Sequence, residues 1–467
     1  MTDSMHINRR HFFGQGGSIV GAAALGTLLG ESAMAEPILK HIPQFAPRAK
    51  RVISLFMSGG PSHVDLFDPK PLLNKRDGEP MPESIIKDHK FAMIRESAPS
   101  IKGSPWTFKK YGKGEIDVSE LLPHTAKVAD ELCVIRSAYS ETFNHGPAVS
   151  FMTTGSAQYG RPTMGAWLSY GLGSENRNLP AFVVLQSGVK LQPLLNSYWS
   201  NGFLPSQHEG MPLRPHGDPV LFLSNPPGID RHRRRQQLDL LASVNRHHHH
   251  TTGDPEILTR IANYELAYRM QTSVPEVMDI SREPASMHRL YGTTPGKKLS
   301  FANNCLLARR LAEQGVRFIQ LFDMGWDQHG SLEVNLPRQA RGIDQGIAAL
   351  LIDLRQRGML DETLVMWGGE FGRTPIAQGA NKGYGRDHHP HGFTMWLAGG
   401  GIKSGMIYGS TDEFGYHAEE KRVSLHDINA TILHCLGIDH KKLTYRFQGL
   451  DFRLTSVHGH PIREIMT

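Results

Sequence analysis

Six short apolar runs constrain this chain more than any other feature: RVISLFM (51–57), LCVIRS (132–137), AFVVLQ (181–186), VRFIQLF (316–322), TLVMWGG (363–369) and FTMWLAGG (393–400). Each has the length of a strand and is apolar without alternation, the pattern of a strand buried on both faces. Between several of them lie helix-like stretches, NNCLLARRLAEQG before the fourth run and GIDQGIAALLIDLRQRG before the fifth. Both end in Gly, a helix C-terminal signal. Strand and helix in alternation predict an α/β fold with a mostly parallel central sheet and helices on both faces.

The 467 residues do not spread evenly over that scheme. From about residue 190 to 300 the texture changes to Pro, Gly and polar loops followed by the helical run DPEILTRIANYELAYRMQ, which predicts a loop- and helix-rich insertion or cap beside the sheet. Within it, HHHH (247–250) reads as a solvated helix end. At the N-terminus, Arg9 and Arg10 precede Phe12, Phe13, a weakly apolar run and AMA (33–35). This reads as a Tat-type export signal cleaved after Ala35, leaving residues 36–467 as the mature domain. The apolar run at 19–29 is far short of the roughly 20 residues that span a bilayer, so we expect no transmembrane anchor and a periplasmic or secreted protein.

Composition serves mainly to exclude. A hydrophobic fraction of 39% and a charged fraction of 21% fit a folded globular chain. The formal charge of +6 is modest for this length and does not point to nucleic acid. The densest basic run, DRHRRRQQ with Arg231, Arg233, Arg234 and Arg235, reads as a solvated helix start. Cys133, Cys305 and Cys435 each sit among apolar neighbours, which argues against a disulfide framework or a thiolate metal site.

In open α/β sheets, ligands gather at the carboxyl ends of the strands. After the first run come His63, Asp65 and Asp68, with His63 and Asp65 two apart, so that an extended backbone points both the same way. After the second come Glu141, Asn144 and His145; after the fourth, Asp323, Asp327 and His329; after the fifth, Glu370 and Arg373. Just before the sixth come Asp387, His388, His389 and His391. Carboxylates and imidazoles without thiolates form a donor set for Zn²⁺, Mn²⁺ or Ca²⁺, and such a centre lowers the pKa of bound water or clamps an anionic oxygen.

Three stretches resemble the alkaline phosphatase and sulfatase superfamily: VSFMTTG (149–155) is similar to its helix after the nucleophile, DETLVMWGGEFG (361–372) to its central metal-binding strand, and VSLHDINATILHCLGI (423–438) to its C-terminal helix. RRHFF, GGPSHVDLFDPKP, GWDQHG, GEFGRTP and GRDHHPHGF together resemble, more narrowly and over nearly the whole chain, the domain-of-unknown-function 1501 family of Tat-exported, sulfatase-like proteins. The resemblance implies an alkaline-phosphatase-like fold. In its register, the metal-binding Asp after the first strand falls on Ser58 or Gly59, the nucleophile on His145, and the central strand's Asp on Glu370 followed by Phe371. One of the superfamily's two metal positions has therefore lost its nucleophile and a ligand. Asp327 and His329 resemble the spaced Asp and His of the other, with His389 or His391 supplying the remaining imidazole.

The expected metal ligands are thus His63, Asp65, Asp327, His329, Glu370 and His389 or His391. The expected catalytic groups are His145, Glu370 and Arg373. His145 is read as a ligand or general acid/base rather than a direct nucleophile, and Arg373 as the neutraliser of a substrate anion. The expected activity is that of an exported metal-dependent hydrolase of a sulfate or phosphate ester, on a small molecule or a polysaccharide. The alternative is a catalytically inert, metal-stabilised binding protein of the cell envelope. A formylglycine sulfatase is excluded, because no Cys or Ser stands at the nucleophile register.

Overall fold

All six apolar runs form strands in the computed structural model: β1 (Arg51–Ser58), β2 (Leu132–Tyr139), β3 (Phe182–Gly188), β4 (Phe318–Met324), β5 (Thr363–Gly368) and β6 (Phe393–Ala398). The structure describes residues 43–467 except 88–89, 97, 189–195, 215–218, 221–222, 295–299 and 380–382, so the segment read as an export signal lies outside the described residues. The longer helices are α1 (His145–Thr154), α2 (Met164–Leu172), α3 (Arg231–Thr252), α4 (Glu256–Met278), α5 (Phe301–Glu313), α6 (Leu332–Gln356) and α7 (Leu425–Cys435).

Across the main sheet the order is Met406–Tyr408, β2, β6, β5, β1, β4, β3 and Met211–Pro212, with Val423–Ser424 also pairing with β2. β1 is central and parallel to both neighbours, with Val52 opposite Phe318 of β4 and Arg51 opposite Thr363 of β5. β3 continues in parallel beside β4. β6 runs the other way, antiparallel to both β5 and β2.

Parallel neighbours need crossovers, and the crossing helices cover the sheet. Side chains alternate along a strand, so β1 feeds two cores. Ile53, Leu55 and Met57 pack with residues of α5 and α6, whereas Val52 and Phe56 pack with residues of α1, α2 and α7. On α6 the buried residues Leu336, Ala340, Ile343, Ile347, Leu350 and Leu354 recur at steps of four and three, an apolar stripe along the helix. Each Leu or Ile buried there contributes ~1.5–3 kcal/mol relative to exposure. A capping box of Ser424 and Asp427 starts α7.

The region expected as an insertion carries α3 and α4, which are joined by a fork of Arg235 on Glu265 at 2.8 and 2.5 Å. The four consecutive histidines occupy the last turns of α3, outside its buried face of Leu238 and Ala242. The three cysteines are free and buried. Among the described residues, no helix is long and apolar enough to cross a membrane.

The direction of β6 matters for function. The carboxyl ends of β1, β2, β4 and β5 share one rim, and because β6 is reversed, the segment that precedes it arrives at that same rim.

Candidate metal centre

The loops at this rim are packed backbone against backbone. Gly59, just after β1, has φ +119°, and a Cβ there would lie 2.3 Å from the Asp327 nitrogen, so only glycine lets the loop after β4 approach. Trp326 N–H donates to Ser58 O at 3.2 Å. The buried Asp323 braces the same loop by accepting from Ser187 Oγ (2.8 Å), Trp326 Nε1 (3.1 Å) and Gln339 Nε2 (2.7 Å). Burial pushes its carboxyl above the usual range.

A short antiparallel ribbon, Gly372–Arg373 against His388–His389, forms the other wall. Gly385 sits so close that a Cβ would be 2.1 Å from the His329 carbonyl carbon, and Arg386 N–H donates to Gln328 O at 3.2 Å. The Arg386 guanidinium grips Asp65 at 2.7 and 3.0 Å, both side chains fully buried.

These supports bring His145, Asp327, His329 and His388 together, with one ligand atom of each within 4.8 Å of the others. The Nε2 atoms of His145, His329 and His388 lie 3.2, 2.8 and 3.2 Å from Asp327 Oδ1. Each opposite nitrogen faces an acceptor outside the cluster: His145 Nδ1 meets Glu370 Oε1, His329 Nδ1 meets Gln378 Oε1, and His388 Nδ1 meets Phe143 O, all at 2.7 Å. Each Nδ1 therefore carries and donates the proton, and in a neutral ring each Nε2 is left with a lone pair. Three such lone pairs and a carboxylate oxygen then face one point. Protonating all three rings would crowd three cations together, whereas one divalent cation satisfies all four groups with the rings neutral. The outward Nδ1 bonds are of the kind that orient metal-ligating histidines, so the residues fit a cation. Side-chain exposures of 13% for His145, 19% for Asp327 and 26% for His329 leave the centre open to solvent.

Burial works against ionisation of Asp327, but the three imidazoles and the Arg373 guanidinium outweigh it and hold the carboxyl far below its usual range. Burial likewise works against protonation of His145, and the carboxylates of Asp327 and Glu370 overcome it, so this ring titrates above the ordinary histidine value. His388 is pushed down to about 4 by burial, despite Asp327, with the charges of Arg373 and His145 adding to the effect. His145 is thus the ring that takes an extra proton, and His388 stays neutral.

Glu370 is fully buried; its Oε1 also accepts from Gly59 N–H at 2.9 Å, and its Oε2 has no partner. Arg373 donates from Nε to Gly60 O (3.0 Å), from Nη1 to Arg386 O (3.0 Å), and from Nη2 to Gly59 O and to Asp327 Oδ1 (2.7 Å). Most of its N–H groups go to backbone carbonyls and to Asp327, and the side chain is buried, so it braces the centre from within.

Of the residues singled out by sequence, His145, Asp327 and His329 meet in the cluster, and Glu370 and Arg373 touch it. The others lie elsewhere. His63 Nε2 donates to Gly415 O at 2.8 Å, Asp65 pairs with Arg386, and His389 donates to Tyr416 O. His389 and His391 are ring neighbours, with centroids 5.3 Å apart, on the side of the ribbon away from the cluster. The imidazole that joins Asp327 and His329 is His388, which the sequence reading placed at the rim without making it a ligand. Adjacent residues of a strand point to opposite faces, so 388 and the pair 389 and 391 exclude each other. That parity was visible in GRDHHPHG; which side faced Asp327 was not. Gln378 and the Phe143 carbonyl, which set two of the tautomers, carried no sequence signal.

The fold and the cluster together define an α/β protein with imidazoles and a carboxylate gathered at the rim of its sheet, a donor set that fits a cation. The chain belongs to the family described as Protein of unknown function (DUF1501), which it matches over residues 49–466. No curated protein matches it. Among solved structures it is similar to a protein in the alkaline phosphatase superfamily from Vibrio parahaemolyticus, at 9% identity, covering 87% of this chain and 72% of that one with a TM-score of 0.39. It is also similar to a sulfatase from Pseudoalteromonas sp. (11% identity, 90% and 71% covered, TM-score 0.34) and to a lipoteichoic acid synthase from Listeria monocytogenes (8% identity, 93% and 80% covered, TM-score 0.37). The residue assignments above rest on this chain's own geometry.

Proposed function

We propose that this protein is an exported, metal-dependent hydrolase of anionic esters, sulfate or phosphate, carried on a small molecule or a polysaccharide. The observation that carries the proposal is the convergence of three imidazole Nε2 atoms on Asp327 Oδ1, with every Nδ1 anchored outside the cluster. Three imidazoles and one carboxylate suit Zn²⁺ or Mn²⁺ better than Ca²⁺, which takes oxygen ligands. When bound, a divalent cation supplies Lewis acidity toward an ester oxygen and lowers the pKa of a coordinated water.

The chain's own residues do the rest. Glu370 fixes the ring of His145 by accepting its Nδ1 proton, which keeps the Nε2 lone pair turned toward the centre. Arg373 keeps Asp327 ionised and in place. The twin arginines and AMA (33–35) support export of the folded, metal-loaded chain. A second reading, an inert metal-stabilised binding protein, is supported by the resemblance that sets His145 at the nucleophile register and by the full burial of Arg373, most of whose N–H groups go to carbonyls and Asp327.

Elemental analysis of protein purified without a nickel column tests the centre. Near-stoichiometric metal in the wild type, absent from an Asp327→Ala, His329→Ala variant, is the expected result. Turnover of nitrophenyl sulfate or phosphate by the loaded protein then supports the hydrolase; metal without turnover of any ester favours the binding protein. A folded wild type free of metal sinks both.

A further inference from the structure

An anionic ester at this centre needs donors for its outer oxygens, and Arg373 is buried with most of its N–H groups engaged by carbonyls and Asp327. The start of α1 offers them. His145, the first residue of α1, is followed by Gly146, whose Cα is one chain step of about 3.8 Å away. The space a side chain would take at Gly146 is filled by phenols: a Cβ there would lie 2.5 Å from the Tyr159 hydroxyl and 4.0 Å from that of Tyr198. Tyr159 comes from the loop after α1, and Tyr198 from the short turn Asn196–Tyr198 that packs on α1.

The two hydroxyls crowd the same point beside Gly146, and they differ in setting. Tyr198 is buried, and burial, the neighbouring phenol and the negative charge of Glu370 all keep it protonated. Tyr159 is 51% exposed, an aromatic ring at the rim whose hydroxyl is nonetheless held over the first turn of α1. Two phenols carry two protons, and a bond between them uses at most one. At least one O–H donor is therefore left over, packed against the residue that follows His145.

We infer that Tyr159 and Tyr198 form a phenolic donor pair that binds an outer oxygen of a tetrahedral oxyanion, the phosphate or sulfate group of the ester, at the edge of the His145, Asp327, His329 and His388 centre. The inference rests on the metal-centre reading above. Gly146 belongs to the same device, because any larger residue would push the Tyr159 hydroxyl away.

Isothermal titration of the metal-loaded protein with inorganic phosphate, and in a second arm inorganic sulfate, tests this. Tyr159→Phe, at an exposed position, is expected to keep its metal and its melting temperature while binding the better of the two anions about tenfold more weakly, equivalent to ~1.4 kcal/mol. Gly146→Ala is expected to do the same by displacing the phenol. Wild-type affinity in both loaded variants overturns the inference and leaves the metal centre standing. A loaded wild type that binds neither anion also overturns it, and a wild type without metal overturns it together with the reading beneath it.

Discussion

Which nitrogen each imidazole turns inward decides whether four residues make a centre, and His388 and His389 show how little separates a ligand from a packed side chain. His388→Ala is expected to abolish stoichiometric metal. His389→Ala should retain it but cost ~2–3 kcal/mol in urea denaturation, from the cavity and the Tyr416 carbonyl it leaves unpaired. Glu370→Gln removes the charge that orients His145 and should weaken metal binding about 10–100-fold in a chelator competition. The pH dependence follows from the same contacts. His145 titrates above the ordinary histidine value, so a proton competes with the metal there first, and affinity should fall as pH drops through that raised value. His388, at about 4, takes no part until far more acid conditions. Chelator competition between about pH 8 and about pH 5.5 checks this, and an affinity that rose on acidification would contradict it.

At the scale of elements, the centre hangs on two loops and a ribbon held by contacts distant in sequence. Asp65 and Arg386 are 321 residues apart and fully buried against each other. Asp65→Asn leaves the guanidinium without its counter-charge and is expected to cost ~3–5 kcal/mol, read as a lower denaturation midpoint. The six strands were legible because strands buried on both faces need unbroken apolar runs, and α5 and α6 because of their apolar spacing and terminal glycines. The antiparallel course of β6 was not. FTMWLAGG reads alike in either direction, and its pairing with β2 and β5 is settled by packing far along the chain.

For the whole molecule, a cluster that joins the segments after β2 and β4 to the one before β6 would link bound metal to stability. A cation at about 100 times its dissociation constant should add ~2.7 kcal/mol to unfolding, seen as a melting temperature that rises with metal and returns with chelator. Replacing residues 247–250 by serine should leave that shift intact, because those histidines lie at the solvated end of α3. By itself the sequence determined the α/β layering, the absence of a cysteine-based site, and the clustering of carboxylates and imidazoles at strand ends, since periodicity and residue type are local properties. It also marked Asp327 and His329 as a pair. Only the tertiary structure decided that His388 rather than His389 or His391 turns inward, that Arg373 is buried among carbonyls and Asp327, and that His63 and Asp65 serve the packing. Those outcomes depend on strand direction, on ribbon parity and on which acceptor reaches each Nδ1, and such quantities exist only once segments hundreds of residues apart have met.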